Sequence, residues 1–274
     1  MYLDYWKLAS RPFEPVADRA GFYPCEAHEA ALLKLRYALE NQSGAALLVG
    51  PSGAGKTLLV ELLRHDLEDR FQPVVHLVFP QMTGRDLLVY LAEQLGAPPV
   101  EQPRYTVEEC VRRLEFLLAQ NARDGRRAVV VIDEAHLLED CGALETLRLL
   151  LNFQTAGRSD LVLLLVGQLS LLASVNRLPS LEERVGVKAV LPAFTPEETG
   201  AYVQHRLRAA GSTREVFTPD ALETIHYLSR GLARQINRLG DLALLVGFAD
   251  RLPRLGAQQI EAVSDELITV GGDV

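Results

Sequence analysis

Hydrophobic and polar positions vary along this chain on two length scales. Short apolar runs, Ala45–Val49, Val74–Phe79, Ala128–Ile132 and Leu161–Val166, are separated by longer stretches of helical periodicity. A strand with one face in water alternates apolar and polar residues. Runs without that alternation are buried on both faces, as in a parallel sheet covered by helices. The pattern therefore predicts an α/β core with a parallel sheet sandwiched by helices. One amphipathic helix is predicted from Ala27 to Glu40, with Ala31, Leu32, Leu35 and Leu39 on one side. Thr106 and Glu109 have the spacing of a capping box for a helix running toward Asn121.

The pattern changes at both ends. Residues 1–26 are aromatic-rich, and Pro12, Pro15 and Pro24 discourage regular structure, so an irregular segment packed on the core is expected there. After Val190 no further strand is signalled. Thr195-Pro196-Glu197-Glu198 and Thr218-Pro219-Asp220 read as helix starts, Thr as N-cap and Pro in the first turn. With the boundary at Leu191-Pro192-Ala193, the expected organisation is a segment 1–26, an α/β core 27–192 and an all-helical lid 193–274.

The candidate chemistry begins where the first run ends. Gly50-Pro51-Ser52-Gly53-Ala54-Gly55-Lys56-Thr57 is a complete G-x-x-x-x-G-K-T phosphate loop between a strand and a helix that continues from Leu58. The turn's backbone N–H groups face a phosphate, and the helix adds its positive dipole end. Lys56 is the reach toward the β- and γ-phosphates, and the Thr57 hydroxyl is a Mg²⁺ ligand. Gly50 to Thr57, with Leu58 behind them, are thus the candidate nucleotide-binding residues. Tyr23, ahead of the Ala27 helix, is the candidate for covering the base.

The third run ends in Asp133-Glu134-Ala135-His136. Two adjacent carboxylates at the C-terminal end of a buried strand suit a shared task. Asp133 holds Mg²⁺ and Glu134 polarises a water for attack on the γ-phosphate. Both acids would otherwise complement a helix N-terminus. The fourth run ends in Gly167-Gln168, and Gln168 is the candidate for the polar side chain that in this class of enzyme touches the attacking water or the γ-phosphate, unless it only starts a helix. Arg184, in Leu181-Glu182-Glu183-Arg184, is placed to project into a neighbouring subunit's nucleotide, with Arg177 the less favoured competitor; a surface pair with Glu182 or Glu183 is the alternative. Arg234 opens a lid helix from which it can meet the γ-phosphate. Arg230, Arg234 and Arg238 also share an i, i+4, i+8 face, a solvated basic stripe if they do nothing else.

Bulk properties narrow the class. At 274 residues, 48% hydrophobic and 23% charged, the chain supports a sizeable core. A net charge of −8 opposes nonspecific nucleic-acid binding by the whole surface. Cys25, Cys110 and Cys141 are widely spaced without a metal pattern, so reduced thiols are expected. The N-terminus carries an early acid and no apolar h-region, and no apolar run reaches membrane-spanning length, which points to a cytoplasmic protein.

Taken together these residues resemble the AAA+ ATPases, and within them the ExeA-type (general secretion pathway protein A) family. The resemblance runs through Met1-Tyr2-Leu3, Arg11-Pro12-Phe13, His28-Glu29-Ala30, Leu165-Val166-Gly167-Gln168 and Leu191-Pro192-Ala193-Phe194-Thr195. It continues in Tyr202-Val203-Gln204-His205-Arg206-Leu207 and in Arg234-Gln235-Ile236-Asn237. It implies a P-loop NTPase fold with a helical lid, ATP and Mg²⁺ as cofactors, Gln168 as first sensor, Arg184 as finger and Arg234 as second sensor. It also implies a homo-oligomeric ring formed on ATP binding, and ATP-driven assembly of an envelope secretion apparatus through a membrane-bound partner, with the chain peripheral to the inner membrane. Ala233 stands where the family's lid motif carries proline. Secretion members of the family continue into a membrane span and a peptidoglycan-binding domain, so this sequence is expected to be either a truncation or a free-standing relative. A transposition-type, DNA-associated helper is the competing expectation, motivated by Arg123, Arg126, Arg127 and the lid arginines and opposed by the net charge. A nucleotide-switched scaffold with little turnover is the third, disfavoured by Glu134.

Overall fold

A computed structural model of the chain describes residues 2–14, 21–41, 43–98 and 106–271, with the side chains of 139–141 and 268–271 excepted. Pro15, the Cys141 side chain and residues 272–274 of the expected lid lie outside the described residues. In chain order the elements are α1 (Tyr2–Trp6), α2 (Glu26–Glu40), β1 (Ala45–Val49), α3 (Lys56–His65), β2 (Val74–Leu77), α4 (Gly84–Gln94) and α5 (Val107–Arg123). Then come β3 (Ala128–Ile132), α6 (Ala143–Leu150), β4 (Gln154–Thr155), β5 (Arg158–Ser159), β6 (Leu161–Gly167), α7 (Ser170–Asn176), α8 (Pro179–Glu182) and β7 (Val185–Val190). The helices α9 (Pro196–Ala209), α10 (Pro219–Ser229), α11 (Ala233–Ala249) and α12 (Ala257–Gly271) follow. By its contacts the chain divides into an α/β unit, 27–50 with 56–191, and a helical unit, 1–26 with 51–55 and 192–274.

The α/β unit is a five-stranded sheet in the order β2-β3-β6-β1-β7, parallel throughout. Every residue of β1, β3 and β6 is buried, as the non-alternating runs require. Leu87, Leu91, Leu114, Leu118, Ile132 and Leu165 belong to the core that covers them. Truncating one such leucine to alanine costs about 2–5 kcal/mol through lost transfer energy and the cavity left behind. The capping box forms at α5: Glu109 N–H donates to Thr106 Oγ1 at 3.2 Å, and Thr106 N–H donates to Glu109 Oε2 at 2.8 Å. The registers Val49↔Gly167 and Ile132↔Leu165 bring the C-terminal ends of β1, β6 and β3 to one edge of the sheet. Open parallel sheets bind ligands at that edge.

Two features of this unit differ from the sequence reading. Val185–Val190 is a strand that the apolar runs did not signal. It is the edge strand beside β1, only partly buried, and its Gly186 and Lys188 break the hydrophobic pattern. Strand β2 ends at Leu77, and Val78 and Phe79 continue as an exposed loop.

In the helical unit α10 packs on α9 and α12, and α11 on α12. The described part of 1–26 is neither irregular throughout nor grouped with the α/β core, contrary to expectation. Tyr2–Trp6 is a helix lying on α11, where the buried Trp6 indole N–H donates to Leu244 O at 2.9 Å and Tyr2 OH donates to Asp241 Oδ1 at 2.8 Å. Arg206 on α9, 5% exposed, gives its guanidinium to the carbonyls of Pro12, Glu14 and Gly21, which fixes both described flanks of 15–20 to one side chain. Thr195 and Glu198 complete a second capping box. Thr218 stands at the N-cap of α10 but makes no cap bond; its hydroxyl donates to Leu255 O at 3.0 Å. Cys25 and Cys110 are buried thiols.

Candidate functional site

The phosphate loop leaves β1 at Gly50, whose N–H donates to Gly167 O at 3.2 Å. Gly53 and Gly55 have φ of +82° and +97°, backbone that L side chains rarely adopt. Lys56, only 6% exposed, opens α3 and donates from Nζ to Gly50 O at 3.0 Å, so its ammonium is turned back over the loop. Thr57 follows on the first turn. Its Oγ1 donates to Asp133 Oδ2 at 2.9 Å, joining the loop's helix to the end of β3.

Asp133 is 3% exposed and fully engaged. Its N–H donates to Leu77 O at 2.8 Å, and its Oδ1 accepts from Glu134 N–H at 2.9 Å. A buried carboxylate needs partners of this kind, and the hard oxygens of Asp133 and Thr57, held together, are a donor set that suits Mg²⁺. Behind Asp133 stands His76 of β2, with Nε2 4.0 Å from Asp133 Oδ2. Its Nδ1 lies 3.2 Å from Arg64 Nη1 and 3.3 Å from Glu61 Oε1. Burial first, and Arg64 second, push the His76 pKa below the ordinary value, so the ring is neutral at pH 7.

Glu134 has a left-handed backbone, φ +50° and ψ +34°, the turn that swings the chain off β3. Its carboxylate is 43% exposed, and Oε2 lies 3.4 Å from Nδ1 of His136, a ring nitrogen that is buried without a hydrogen-bond partner among the described residues. The His136 ring rests on Gly167, where an added Cβ would come within 3.3 Å of Nδ1 and 3.2 Å of the His136 backbone N. The Gly in Leu165-Val166-Gly167 thus makes room for the histidine that faces Glu134. Gln168 emerges exposed from the end of β6, between the strands that carry the loop and the carboxylates.

Arg184 does not join this group. It precedes β7, and its carbonyl accepts from Ala45 N–H at 3.0 Å, so it stands where β1 and β7 begin. The five residues of β1, at about 3.3 Å each, separate it from its own phosphate loop. Its guanidinium donates to Leu151 O and Asn152 Oδ1, both at 3.0 Å, and not to Glu182 or Glu183. Glu182 pairs instead with Lys188. Arg177 donates to Ser174 Oγ at 3.4 Å.

In the helical unit, Arg234 N–H donates to Gly53 O at 3.2 Å, and Arg234 Nη1 reaches Ser52 Oγ at 3.5 Å. The expected basic stripe is broken. Arg230 has φ +52° in the turn between α10 and α11, so only Arg234 and Arg238 lie on the helix. Tyr23 sits in an aromatic group, 5.9 Å from both Phe194 and Tyr202 and 5.6 Å from His205.

The sequence alone assigns no role to His76 or His136. Their signals were a lone imidazole inside an apolar strand and a histidine two residues beyond the second carboxylate.

Residues 39–174 match the family described as AAA domain. Over 281 residues the chain is 33% identical to general secretion pathway protein A of Aeromonas hydrophila, a match covering 97% of this chain and 50% of that protein. The chain thus spans about half the length of that curated relative. Among solved structures it is similar to the Aeropyrum pernix ORC1 protein in complex with DNA, with TM-score 0.69, 21% identity, and 93% and 68% of the two chains covered. It is also similar to the Aeropyrum pernix ORC2 protein in ADPNP–ADP complexes, with TM-score 0.65, 20% identity, and 93% and 71% covered. At those identities the ORC structures speak for the fold. A complete phosphate loop hydrogen-bonded to the acidic end of β3, in a chain one-third identical to a secretion-pathway protein along nearly its whole length, leads to one assignment: the chain belongs to the AAA+ ATPases, in the general secretion pathway protein A family.

Proposed function

We propose that the chain binds ATP with Mg²⁺, hydrolyses it to ADP and phosphate, and uses turnover to assemble or remodel a protein complex of the secretion machinery. The observation that carries the chemical part is the Thr57–Asp133 hydrogen bond with Glu134 beside it. In this reading the loop's N–H groups and Lys56 hold the β- and γ-phosphates, and Thr57 and Asp133 hold Mg²⁺. When bound, the ion neutralises charge on the phosphate oxygens. Glu134 accepts a proton from a water whose oxygen attacks the γ-phosphorus, and the bond to the ADP oxygen breaks. Gln168 orients that water or the γ-phosphate, Arg234 meets the γ-phosphate from the lid, and Tyr23 covers the base. Arg184, at the far edge of its own sheet, serves the nucleotide of a neighbouring copy in a ring.

The secretion role is supported by the relative's printed name, and the partner is a protein, reached at the cytoplasmic face of the inner membrane. No helix among the described residues is long and apolar enough to cross a membrane. The ORC1 likeness favours DNA as a second reading, which the net charge of −8 opposes. A gel shift at low salt that shows no DNA binding, with or without ATP, removes it.

Glu134→Gln tests the chemistry. Turnover should fall by roughly 10²–10⁴-fold while ATP affinity is kept. Undiminished hydrolysis would sink the assignment.

A further inference from the structure

We propose that the α/β unit carries a second anion site, a cavity of about 500 Å³ lined by Arg70, Arg126, Arg127 and Arg158, that takes a small phosphate-bearing anion. The cavity is built from segments that precede the strands. Arg70 lies in the turn before β2, Arg126 and Arg127 between α5 and β3, and Arg158 on β5 just before β6. Since these strands are parallel, this edge of the sheet is the one opposite Gly50, Asp133 and Gln168. A strand length of about 16 Å therefore separates the cavity from the phosphate loop.

The four guanidiniums are not equivalent. Arg127 is a structural charge: Nε donates to Ser159 O at 2.9 Å, and its other nitrogens reach the carbonyls of Leu39, Ser43 and Leu161 at 3.4–3.5 Å. Burial lowers its pKa to about 10, so it remains a cation at pH 7 and contributes field rather than free donors. Arg70 lies over the Phe71 ring at 4.9 Å and pairs with the exposed Glu68, a surface pair of little worth that it can exchange for a ligand. Arg126 and Arg158 are exposed and make no side-chain hydrogen bond or ion pair among the described residues. They are the donors left over.

Acidic groups do not cancel this charge. Asp160 is 5% exposed and accepts from Thr155 Oγ1 at 3.0 Å, beside Arg127, which leaves Glu40 as the other carboxylate of the lining. Four cations against two anions in one concavity run counter to a chain whose net charge is −8. The ends of α2 and α5 point their carbonyl poles here, which attracts cations for purely local reasons. That accounts for Arg127, which bonds Leu39 O at the end of α2, but not for Arg126 and Arg158, which bond no such carbonyl. Planar guanidinium forks match the oxygens of a phosphate. The volume is that of a small-molecule pocket, too small for a nucleic-acid duplex.

The test is calorimetric titration of the full chain with inorganic pyrophosphate, in a Lys56→Ala background that disables the phosphate loop. One site is expected in that background, weakened at least tenfold when Arg126→Ala and Arg158→Ala are added, with the thermal midpoint unchanged because both side chains are exposed. A short DNA duplex should not displace the pyrophosphate. Absence of binding in the Lys56→Ala chain, binding indifferent to the two added substitutions, or displacement by DNA would each overturn the proposal. The single variant Arg126→Gln, expected to weaken binding severalfold, decides the matter if the triple variant does not fold.

Discussion

The backbone N–H of Arg234 donates to the carbonyl of Gly53 over 3.2 Å, so the first turn of α11 is bonded to the tip of the phosphate loop without using the arginine's charge. The backbone bond and the proposed role of the guanidinium are therefore separable. Arg234→Ala keeps the backbone bond and should leave the thermal midpoint in place while lowering ATP turnover. Gly53→Ala attacks the bond itself: φ is +82°, and the new Cβ would lie 2.9 Å from Arg234 Cβ. Strain of about 1–3 kcal/mol is expected there, a loss of several degrees in the midpoint together with weaker nucleotide binding. Calorimetric melts and ATP titrations of both variants check the pair; equal melting of the two would refute the separation.

His136 should govern Glu134 rather than ATP binding. Its Nδ1 faces the Glu134 carboxylate at 3.4 Å, and its ring is held by contact with Gly167. His136→Ala is expected to lower kcat by about 10–100-fold, by analogy with the loss of a group that orients a metal-binding side chain, with KM for ATP unchanged. His136→Asn, which keeps a polar atom near the carboxylate, should recover part of the rate. A rise in KM with kcat intact would show that the ring serves binding instead.

If Arg184 acts on a neighbour's nucleotide, two inactive variants should help each other. Glu134→Gln retains the arginine and Arg184→Ala retains the carboxylate. Mixing them is expected to restore a fraction of wild-type hydrolysis that rises with total protein concentration. Turnover in the mixture no greater than the sum of the separate variants would remove the finger role.

Acid should loosen the helical unit through His205. Burial lowers its pKa below 6.5, Arg206 and Arg208 push the same way, and the Phe22 backbone opposes them. Tyr23, whose ring stands 5.6 Å away, has its own pKa raised and stays neutral in this range. A base with a depressed folded pKa favours the folded state above its unfolded value, because the unfolded chain takes up the proton first. Stability is therefore kept above pH 6.5 and lost as pH falls below it. His205→Phe should shrink the drop in melting temperature between pH 7.5 and 5.5; an identical drop would exclude this residue as the cause.

Legibility in the sequence followed burial. Ala45–Val49 and Ala128–Ile132 were bounded to the residue because buried strands of a parallel sheet leave nothing polar to blur their ends. Val185–Val190 carries no such signal because one flank of an edge strand needs no apolar partner, so Gly186 and Lys188 fit there. Tyr2–Trp6 is too short to show a period, and its helix depends on the seat that α11 provides for Trp6. The loop and the two carboxylates were legible because their spacing is local. The left-handed turn at Glu134 and the contact between His136 and Gly167 were not, since the second joins residues more than 30 positions apart through the sheet register.

The position of Arg184 also restricts the symmetry open to an assembly. Gly50, where the phosphate loop begins, and Arg184 occupy opposite ends of β1, so they belong to different surfaces of the α/β unit. Across a two-fold axis residue i meets j as j meets i, so a two-fold dimer would need a single patch that holds both the loop and the arginine. Groups at opposite ends of a strand suit a head-to-tail contact instead, which closes into a ring or grows as a filament according to the rotation between neighbours.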